Sequence, residues 1–280
     1  MKSISKELEI KYNRLKSELT GFRRLLVAYS GGVDSVLLLK VVSDVLGKNA
    51  LGVIGVSPSL AKRELAEAQK IAEDFNLSYI MLQTREIEDE NYASNPADRC
   101  YFCKKILFGE IYDYAREHGY SHIADGTNLD DVGDFRPGRQ AAAEMKVVSP
   151  LKDAGFTKQD VRDLSRHLEL PTWNKPALAC LSSRIPAGTR VTPESLNRIE
   201  RAEDYLQLLG FRVFRVRHHD NLARIEVAPH EISRFLDVEI RQKIHDEFKK
   251  IGYTFITLDL MGYRQGSMKE LIDVNEVRKV

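Results

Sequence analysis

Arg24-Leu25-Leu26-Val27-Ala28-Tyr29 runs directly into Ser30-Gly31-Gly32-Val33-Asp34-Ser35, and Ser35–Leu46 then repeats apolar residues at helical spacing. The first six residues read as a buried strand and the last stretch as a helix. Between them stands a turn built on two glycines, which lets backbone N–H groups come close to a ligand. The helix that follows offers its unpaired N-terminal N–H groups and the positive end of its dipole to an anion. Ser30 and Ser35 add hydroxyl donors. Asp34 is out of place beside an anion unless Mg²⁺ stands between its carboxylate and phosphate oxygens. Ser30, Gly31, Gly32, Val33, Asp34 and Ser35 are therefore the candidate phosphate-binding residues. No Lys-Ser/Thr closes the loop, and the glycines do not follow the G-x-G-x-x-G spacing.

Outward from this loop the pattern repeats. Leu51–Val56 reads as a strand. Ala61–Phe75 reads as an amphipathic helix with Leu65, Ala68, Ile71, Ala72 and Phe75 on one side. Tyr79–Gln83 is a strand, Cys103–His118 a helix and His122–Asp125 a strand. Strands separated by helices imply right-handed parallel crossovers and hence an α/β, doubly wound parallel sheet. Ahead of the loop, Ile4, Leu8, Leu15 and Leu19 mark an amphipathic helix. Gly126–Gly138 is polar and reads as a loop, and Thr157–Leu168 as a helix with Thr157 as its N-cap.

Pro171, Pro176, Pro186 and Pro193 punctuate the stretch that follows, which we take as a linker. The expected organisation is a nucleotide domain over 1–170, a linker over 171–193 that carries Cys180, and a smaller α+β domain over 194–280. In that last part Glu194–Leu209 is a helix ended by Gly210. Arg212–His218 and Leu222–Val227 alternate with period two across His219-Asp220-Asn221. Glu239–Ile251 is a helix and Thr254–Leu260 a strand.

The chain of 280 residues holds 42 Lys plus Arg against 41 Asp plus Glu, a net charge of +1. Such a balance gives no global attraction to nucleic acid or to an anionic membrane, so any phosphate site must be local. No apolar run reaches the ~18–20 residues of a membrane span. The N-terminus lacks the uninterrupted apolar core of a signal peptide, which points to the cytoplasm. Cys100, Cys103 and Cys180 are the only cysteines, too few and too uneven for a disulfide framework. Residue chemistry leaves four readings open for them: a redox pair at Cys100 and Cys103, a zinc site lacking a fourth ligand, a [4Fe-4S] cluster on three thiolates with one iron open, or plain packing.

In the smaller domain Arg215, Arg217 and His219 fall on one face of a strand and Phe214 and Val216 on the other. Arg224 and Glu226 share the corresponding face of the next strand. Arginine forks suit phosphate, so Arg215 and Arg217 are candidates for a substrate phosphate and Glu226 for a divalent cation.

The hexapeptide Ser30–Ser35 resembles the pyrophosphate loop of the N-type ATP pyrophosphatases, which cleave ATP between its α and β phosphates. More specific are Asp98-Arg99-Cys100-Tyr101-Phe102-Cys103-Lys104-Lys105, Ala124-Asp125-Gly126-Thr127-Asn128 and Phe135-Arg136-Pro137-Gly138. With them stand Trp173-Asn174-Lys175-Pro176, Ala179-Cys180-Leu181-Ser182-Ser183-Arg184-Ile185-Pro186, Val216-Arg217-His218-His219 and Ala223-Arg224-Ile225-Glu226. Together, from about Leu25 to about Arg264, these resemble the LarE family of sulfur transferases of nickel-pincer nucleotide synthesis.

The resemblance implies ATP with Mg²⁺, and a small-molecule nucleotide substrate, pyridinium-3,5-dicarboxylate mononucleotide. Its carboxylate would be adenylated and then converted to a thiocarboxylate. The resemblance also implies ATP contacts at Asp125, Gly126 and Asn128, and a homo-oligomer. Lys104 would offset negative charge beside Cys103, with Cys180 and Asp34 as its catalytic companions. Ser183, Arg184 and Glu203 would join Arg215 and Arg217 at the substrate. One branch of the family sacrifices a single cysteine. The other holds a [4Fe-4S] cluster on three, and Cys100, Cys103 and Cys180 place this chain there. The resemblance does not say which sulfide donor serves it. The alternatives weighed are a tRNA thiolase, which would carry a zinc finger or a basic RNA-binding domain, an amide-forming relative, and a non-catalytic nucleotide sensor.

Overall fold

The structure, a computed structural model, describes residues 4–131, 137–176 and 179–264. In chain order its elements begin with α1 (Lys6–Leu19), β1 (Leu25–Ala28), α2 (Val33–Leu46), β2 (Ala50–Val56), α3 (Lys62–Asp74) and β3 (Tyr79–Gln83). Then come α4 (Glu90–Ala93), α5 (Arg99–His118), β4 (His122–Ala124), α6 (Pro137–Glu144), α7 (Pro150–Asp153) and α8 (Lys158–His167). The described part closes with α9 (Pro193–Leu208), β5 (Phe214–His219), β6 (Leu222–Val227), α10 (Val238–Ile251) and β7 (Phe255–Leu258). They form two compact units: Met1–Glu86 with Cys100–Leu178, and Ile87–Arg99 with Ala179–Val280.

The first unit is a four-stranded sheet in the order β3-β2-β1-β4, parallel at every pairing. Alternation along β1 explains why both faces are covered. Leu25 and Val27 belong to a core shared with α1, α2, α3 and α8. Leu26 enters a second core with Phe108, Ile111 and Ala115 of α5 and Ala142 of α6. A strand buried on both sides has no polar positions to spare, and hence the continuous apolar run at 25–29. β1 and β4 lie side by side although two strands intervene in sequence. The order of the strands reverses there, and ligands of such sheets bind beyond the strand ends at that point.

The second unit has a three-stranded sheet, β5-β6-β7, with β5 and β6 antiparallel and β7 parallel to β6. Ala202 and Leu206 of α9 and Ile244, Phe248 and Ile251 of α10 pack with Phe214, Val216, Ala223, Ile225 and Val227. Residues 87–99 join this unit by backbone bonds: Gly188 N–H donates to Asn95 O at 2.8 Å and Val191 N–H to Ala93 O at 2.8 Å.

Boundaries that bear on the site differ from the sequence reading. α2 starts at Val33, so the end of the phosphate loop is already helix. α5 starts at Arg99 rather than at Cys103, so Cys100 lies within its first turn and Cys103 opens the second. Within 126–138 the expected loop is broken by the start of α6 at Pro137, a residue whose fixed φ suits a first helical position. The expected motif residues Phe135 and Arg136 lie outside the described residues.

Burial sets a pH dependence in the second unit. It pushes the His218 imidazole below its usual value of 6.5, with Asp220 pulling the other way and Arg198 adding to the fall. The ring Nδ1 lies 3.1 Å from the Tyr253 hydroxyl. A depressed folded-state value favours the neutral ring. That stability is fully present above the unfolded value and is lost as the pH falls below it. Urea unfolding between pH 7.5 and 5 should therefore show falling stability, with at most about 1.4 kcal/mol per pH unit from this group. His218→Gln should flatten the slope only in part, because burial lowers His219 as well. An unchanged slope would show that His218 is not among the responsible groups.

Candidate active site

In the first unit the loop after β1 is shaped for an anion. Gly31 has φ +72°, and a Cβ there would stand 2.7 Å from the Cβ of Ala68 on α3, so no side chain fits. Gly32 precedes α2 in extended conformation, and no side chain caps the helix start. The first N–H groups of α2 are thus left to a ligand. Ser35 Oγ accepts from Ser30 N–H at 3.1 Å and lies 3.2 Å from Ser30 Oγ, which ties the two ends of the loop together. Across the strand reversal, Gly126 lets the end of β4 meet the start of α2. A Cβ on it would come within 3.0 Å of Asp34 Cβ and of Ser35 N.

Asp34 is the hub. Its Oδ1 accepts from Asn128 Nδ2 at 3.0 Å and its Oδ2 pairs with Lys158 Nζ at 2.5 Å. Asn128 is 1% exposed and also accepts from Asp130 N–H at 3.0 Å, which fixes its amide. Asp125 is turned to the fold: its oxygens take Thr127 N–H at 3.1 Å, Thr127 Oγ1 at 2.8 Å and Ser149 Oγ at 2.8 Å.

Two lysines were assigned no role by the sequence reading. Lys158 opens α8, where a cation opposes the helix dipole. That misfit is the signal that could have found it, since Asp34 holds it there. Lys175 sits on the other side of the loop. Its Nζ lies 3.1 Å from Glu64, 2.8 Å from Glu67 and 3.4 Å from Gly31 O.

Cys100 and Cys103 project from the N-terminal end of α5 at i,i+3 spacing and so share one helix side. Cys100 is exposed and Cys103 half-buried. Lys104 follows in the next turn. Gly138 of α6 packs against it so closely that a Cβ there would stand 2.9 Å from Lys104 Cγ.

Cys180 lies in the second unit and is exposed. No cysteine is in a disulfide. Among the described residues, no three Cys, His, Asp or Glu side chains are grouped to hold a metal ion.

Around Cys180 the second unit gathers the remaining candidates. Arg184 is 2% exposed. Its Nε and Nη2 donate to the two carboxylate oxygens of Glu203 at 2.9 and 3.1 Å. Its Nη1 reaches Ala179 O at 2.7 Å, Cys180 O at 2.8 Å and Ser183 Oγ at 3.1 Å. Arg184 thus winds the Cys180 turn around itself, and Glu203 holds it in place. Glu203 also accepts from Val216 N–H on the edge strand β5 at 3.1 Å.

The polar face of the sheet is buried rather than wet. Arg217 pairs with Arg224 across the strands, and Arg215 with Glu226. Glu226 is 0% exposed, and Arg217 Nη2 and Arg224 Nη2 donate to its oxygens at 2.8 and 3.2 Å. A divalent cation on Glu226 would meet both guanidinium groups. Glu226, the expected cation ligand, is engaged here by two arginines. Arg217 also donates to Ser183 O at 3.1 Å.

Arg215 is set apart. Among the described residues it makes no ion pair with a carboxylate, its Nη1 donates to Phe214 O at 2.6 Å, and its guanidinium lies 5.0 Å from the Tyr263 ring. Burial lowers its pKa, and the neighbouring charge of Arg184 adds to that. A half-shielded cation of this kind calls for an anion. On the same strand, His219 Nε2 is buried with no hydrogen-bond partner among the described residues.

No protein-family model matches the chain. It is 44% identical over 266 residues, 95% of this chain and 99% of the relative, to an uncharacterized protein of Synechocystis. It is 35% identical over 266 residues, 95% of this chain and 96% of the relative, to the pyridinium-3,5-bisthiocarboxylic acid mononucleotide synthase of Lactiplantibacillus plantarum. One of the subunits of the glutamine-hydrolyzing GMP synthase of Thermoplasma volcanium matches at 26% over 168 residues, 55% of this chain and 54% of the relative. The partial match is that of an enzyme sharing the nucleotide fold, whereas the match to the mononucleotide synthase runs almost end to end. With the anion loop in one unit and the Cys180 turn built around Arg184 in the other, the chain belongs to the family of the pyridinium-3,5-bisthiocarboxylic acid mononucleotide synthase, the LarE family.

Proposed function

We propose that the protein is an ATP-dependent sulfur transferase. It adenylates the carboxylate of pyridinium-3,5-dicarboxylate mononucleotide, releases pyrophosphate, and converts the acyl adenylate to a thiocarboxylate. The observation that carries this reading is the cradle at Ser30–Ser35, with Asp34 held between Asn128 and Lys158. The N–H groups at the start of α2 and the Ser30 and Ser35 hydroxyls receive the departing pyrophosphate, where negative charge builds as the α–β bond breaks. Lys158 stands ready to move from Asp34 to a phosphate oxygen. Asp34 is the hard oxygen ligand that would hold Mg²⁺ beside the phosphates, a usual arrangement for that ion. A substrate carboxylate oxygen attacks the α phosphorus. Sulfur then attacks the acyl carbon, and AMP leaves with the electron pair.

For the sulfur we propose the cluster branch, with Cys100, Cys103 and Cys180 as the ligands. The donors fit in kind. Three accessible thiols form a soft set, two of them at a helix N-terminus, which favours thiolate, and a guanidinium stands near the third. When bound, a [4Fe-4S] cluster supplies sulfide at the iron that no cysteine holds. Lys104 offsets negative charge at this end of α5. Arg215, with Arg217 and Ser183 behind it, takes the phosphate of the mononucleotide, while Arg184 and Glu203 fix the turn that presents Cys180.

The test is product analysis with anaerobically prepared protein, the mononucleotide and Mg-ATP. AMP and pyrophosphate should appear in equal amounts, together with a thiocarboxylate. Formation of an amide, or ADP in place of AMP, would overturn the reading. In the same assay Arg215→Ala should weaken mononucleotide binding by about 1.5–3 kcal/mol, the range for a hydrogen bond to a charged group. ATP binding should stay as it was. An equal loss for both ligands would move Arg215 to the ATP site.

A further inference from the structure

We propose that Lys175 is a positioning residue for the phosphate loop: by holding the carbonyl of Gly31 it turns the N–H of Gly32 toward the phosphates. The proposal rests on the reading of Ser30–Ser35 as a phosphate cradle.

The loop needs such a fixture. Gly31 and Gly32 flank one peptide group, and a peptide between two glycines turns with little steric resistance. The bonds between Ser30 and Ser35 close the ends of the loop, but neither touches that peptide. The ladder of α2 does not reach it either. Its first bond runs from Val36 N–H to Gly32 O at 3.0 Å, one peptide further on. A planar trans peptide points its C=O and its N–H in opposite directions. Whatever grips Gly31 O therefore also sets the direction of Gly32 N–H.

Lys175 provides the grip. Its Nζ donates to Gly31 O at 3.4 Å. That bond is long, and the ammonium is kept at it by Glu64 at 3.1 Å and Glu67 at 2.8 Å. The two glutamates lie one turn apart on α3, the helix that leaves no room for a side chain at Gly31. The lysine side chain is only 11% exposed. Two carboxylates outweigh one ammonium, so Lys175 is held behind the loop rather than offered to a phosphate. Gly32 N–H points away from these charges and has no acceptor among the described residues.

The backbone of Lys175 is fastened separately. Arg162 Nη1 donates to Trp173 O at 2.9 Å and its Nη2 to Lys175 O at 3.1 Å. Loosening the segment and releasing the Gly31 carbonyl are thus two different changes, and each has its own substitution.

Gly31-Gly32 is the only Gly-Gly step in the sequence. In protein labelled with ¹³C at glycine carbonyls and ¹⁵N at glycine amides, a single carbonyl–amide correlation signal reports this peptide alone. The experiment compares wild type, Lys175→Met and Arg162→Gln, each free and titrated with magnesium pyrophosphate. In the free protein Lys175→Met should move the Gly31 carbonyl signal. It should also weaken pyrophosphate binding about tenfold, the cost of one misdirected donor to a charged acceptor. Arg162→Gln should leave both near wild type. If Lys175→Met fails to fold, Lys175→Gln, which keeps a polar end of shorter reach, decides in its place. An unmoved carbonyl signal, or a loss of binding below threefold, would overturn the proposal. An equal loss for Arg162→Gln would do the same, as would failure of both Lys175 variants to fold, since each would make Lys175 a structural prop. A wild-type signal that responds to neither pyrophosphate nor Mg-ATP would overturn the cradle reading itself, a result distinct from a loop that binds equally well without Lys175.

Discussion

Asp34→Asn should slow pyrophosphate release by about 10²–10³-fold, the usual cost of removing one preorganised polar group from a charge-stabilising site. The substitution keeps the shape of the side chain and its contact with Asn128, which bonds Oδ1 at 3.0 Å. What it removes is the negative charge. Lys158 then loses its partner at 2.5 Å, and Mg²⁺ loses the carboxylate beside the phosphates. The fold should survive, because Asp34 is partly open to solvent and lies at a helix start rather than in the core. The measurement is AMP and pyrophosphate release on Mg-ATP and the mononucleotide, with thermal unfolding run in parallel. A rate within threefold of wild type in a well-folded variant would remove Asp34 from the adenylation step.

Single substitution of any cysteine should abolish iron binding almost as completely as the triple change. A cubane held by two thiolates has two open irons and is easily stripped. Cys100→Ala, Cys103→Ala and Cys180→Ala should each leave far less iron and sulfide than wild type after anaerobic reconstitution, with sulfur transfer lost in parallel. Adenylation should continue, since the anion loop is untouched. If wild type binds one zinc and no iron, or if Cys180→Ala retains full sulfur transfer, the cluster assignment fails. Conversion of Cys180 to dehydroalanine during turnover would point to the sacrificial route instead.

Much of the nucleotide half was legible because its signals are local. An apolar run, two glycines and a helix start lie within a dozen residues, and each constrains the next. β3 and β6 fall on the expected residues, because hydrophobic period and turn chemistry agree there. What was hidden depends on partners far away in sequence. Alternation placed Arg215, Arg217, Arg224 and Glu226 on one face, as found, but alternation says only that a face is polar. That this face is buried follows from Glu203, Arg184 and the turn at 180–184, whose contacts no periodicity encodes. Lys158 and Asp34 stand 2.5 Å apart although most of the first unit's sequence separates them. The segment 87–99 showed no mark of belonging with residues after 178, because it is tied there by backbone bonds and by single long-range side-chain bonds that no spacing encodes: Tyr92 Oη lies 2.6 Å from Ser182 Oγ, Asn95 Nδ2 donates to Pro186 O at 2.7 Å and Arg99 Nη1 to Ser182 O at 2.9 Å.

That segment also bears on how such a protein can be inherited. Ile87–Arg99 is an island of the second unit set within the sequence of the first. A single genetic crossover after residue 178 would deliver α9, α10 and the small sheet, but not Tyr92, Asn95 or Arg99. The imported part would meet a foreign segment in place of the side chains that bond Ser182 and Pro186 here. Exchange of the whole second unit between relatives would thus require three coordinated junctions, before residue 87, after residue 99 and after residue 178.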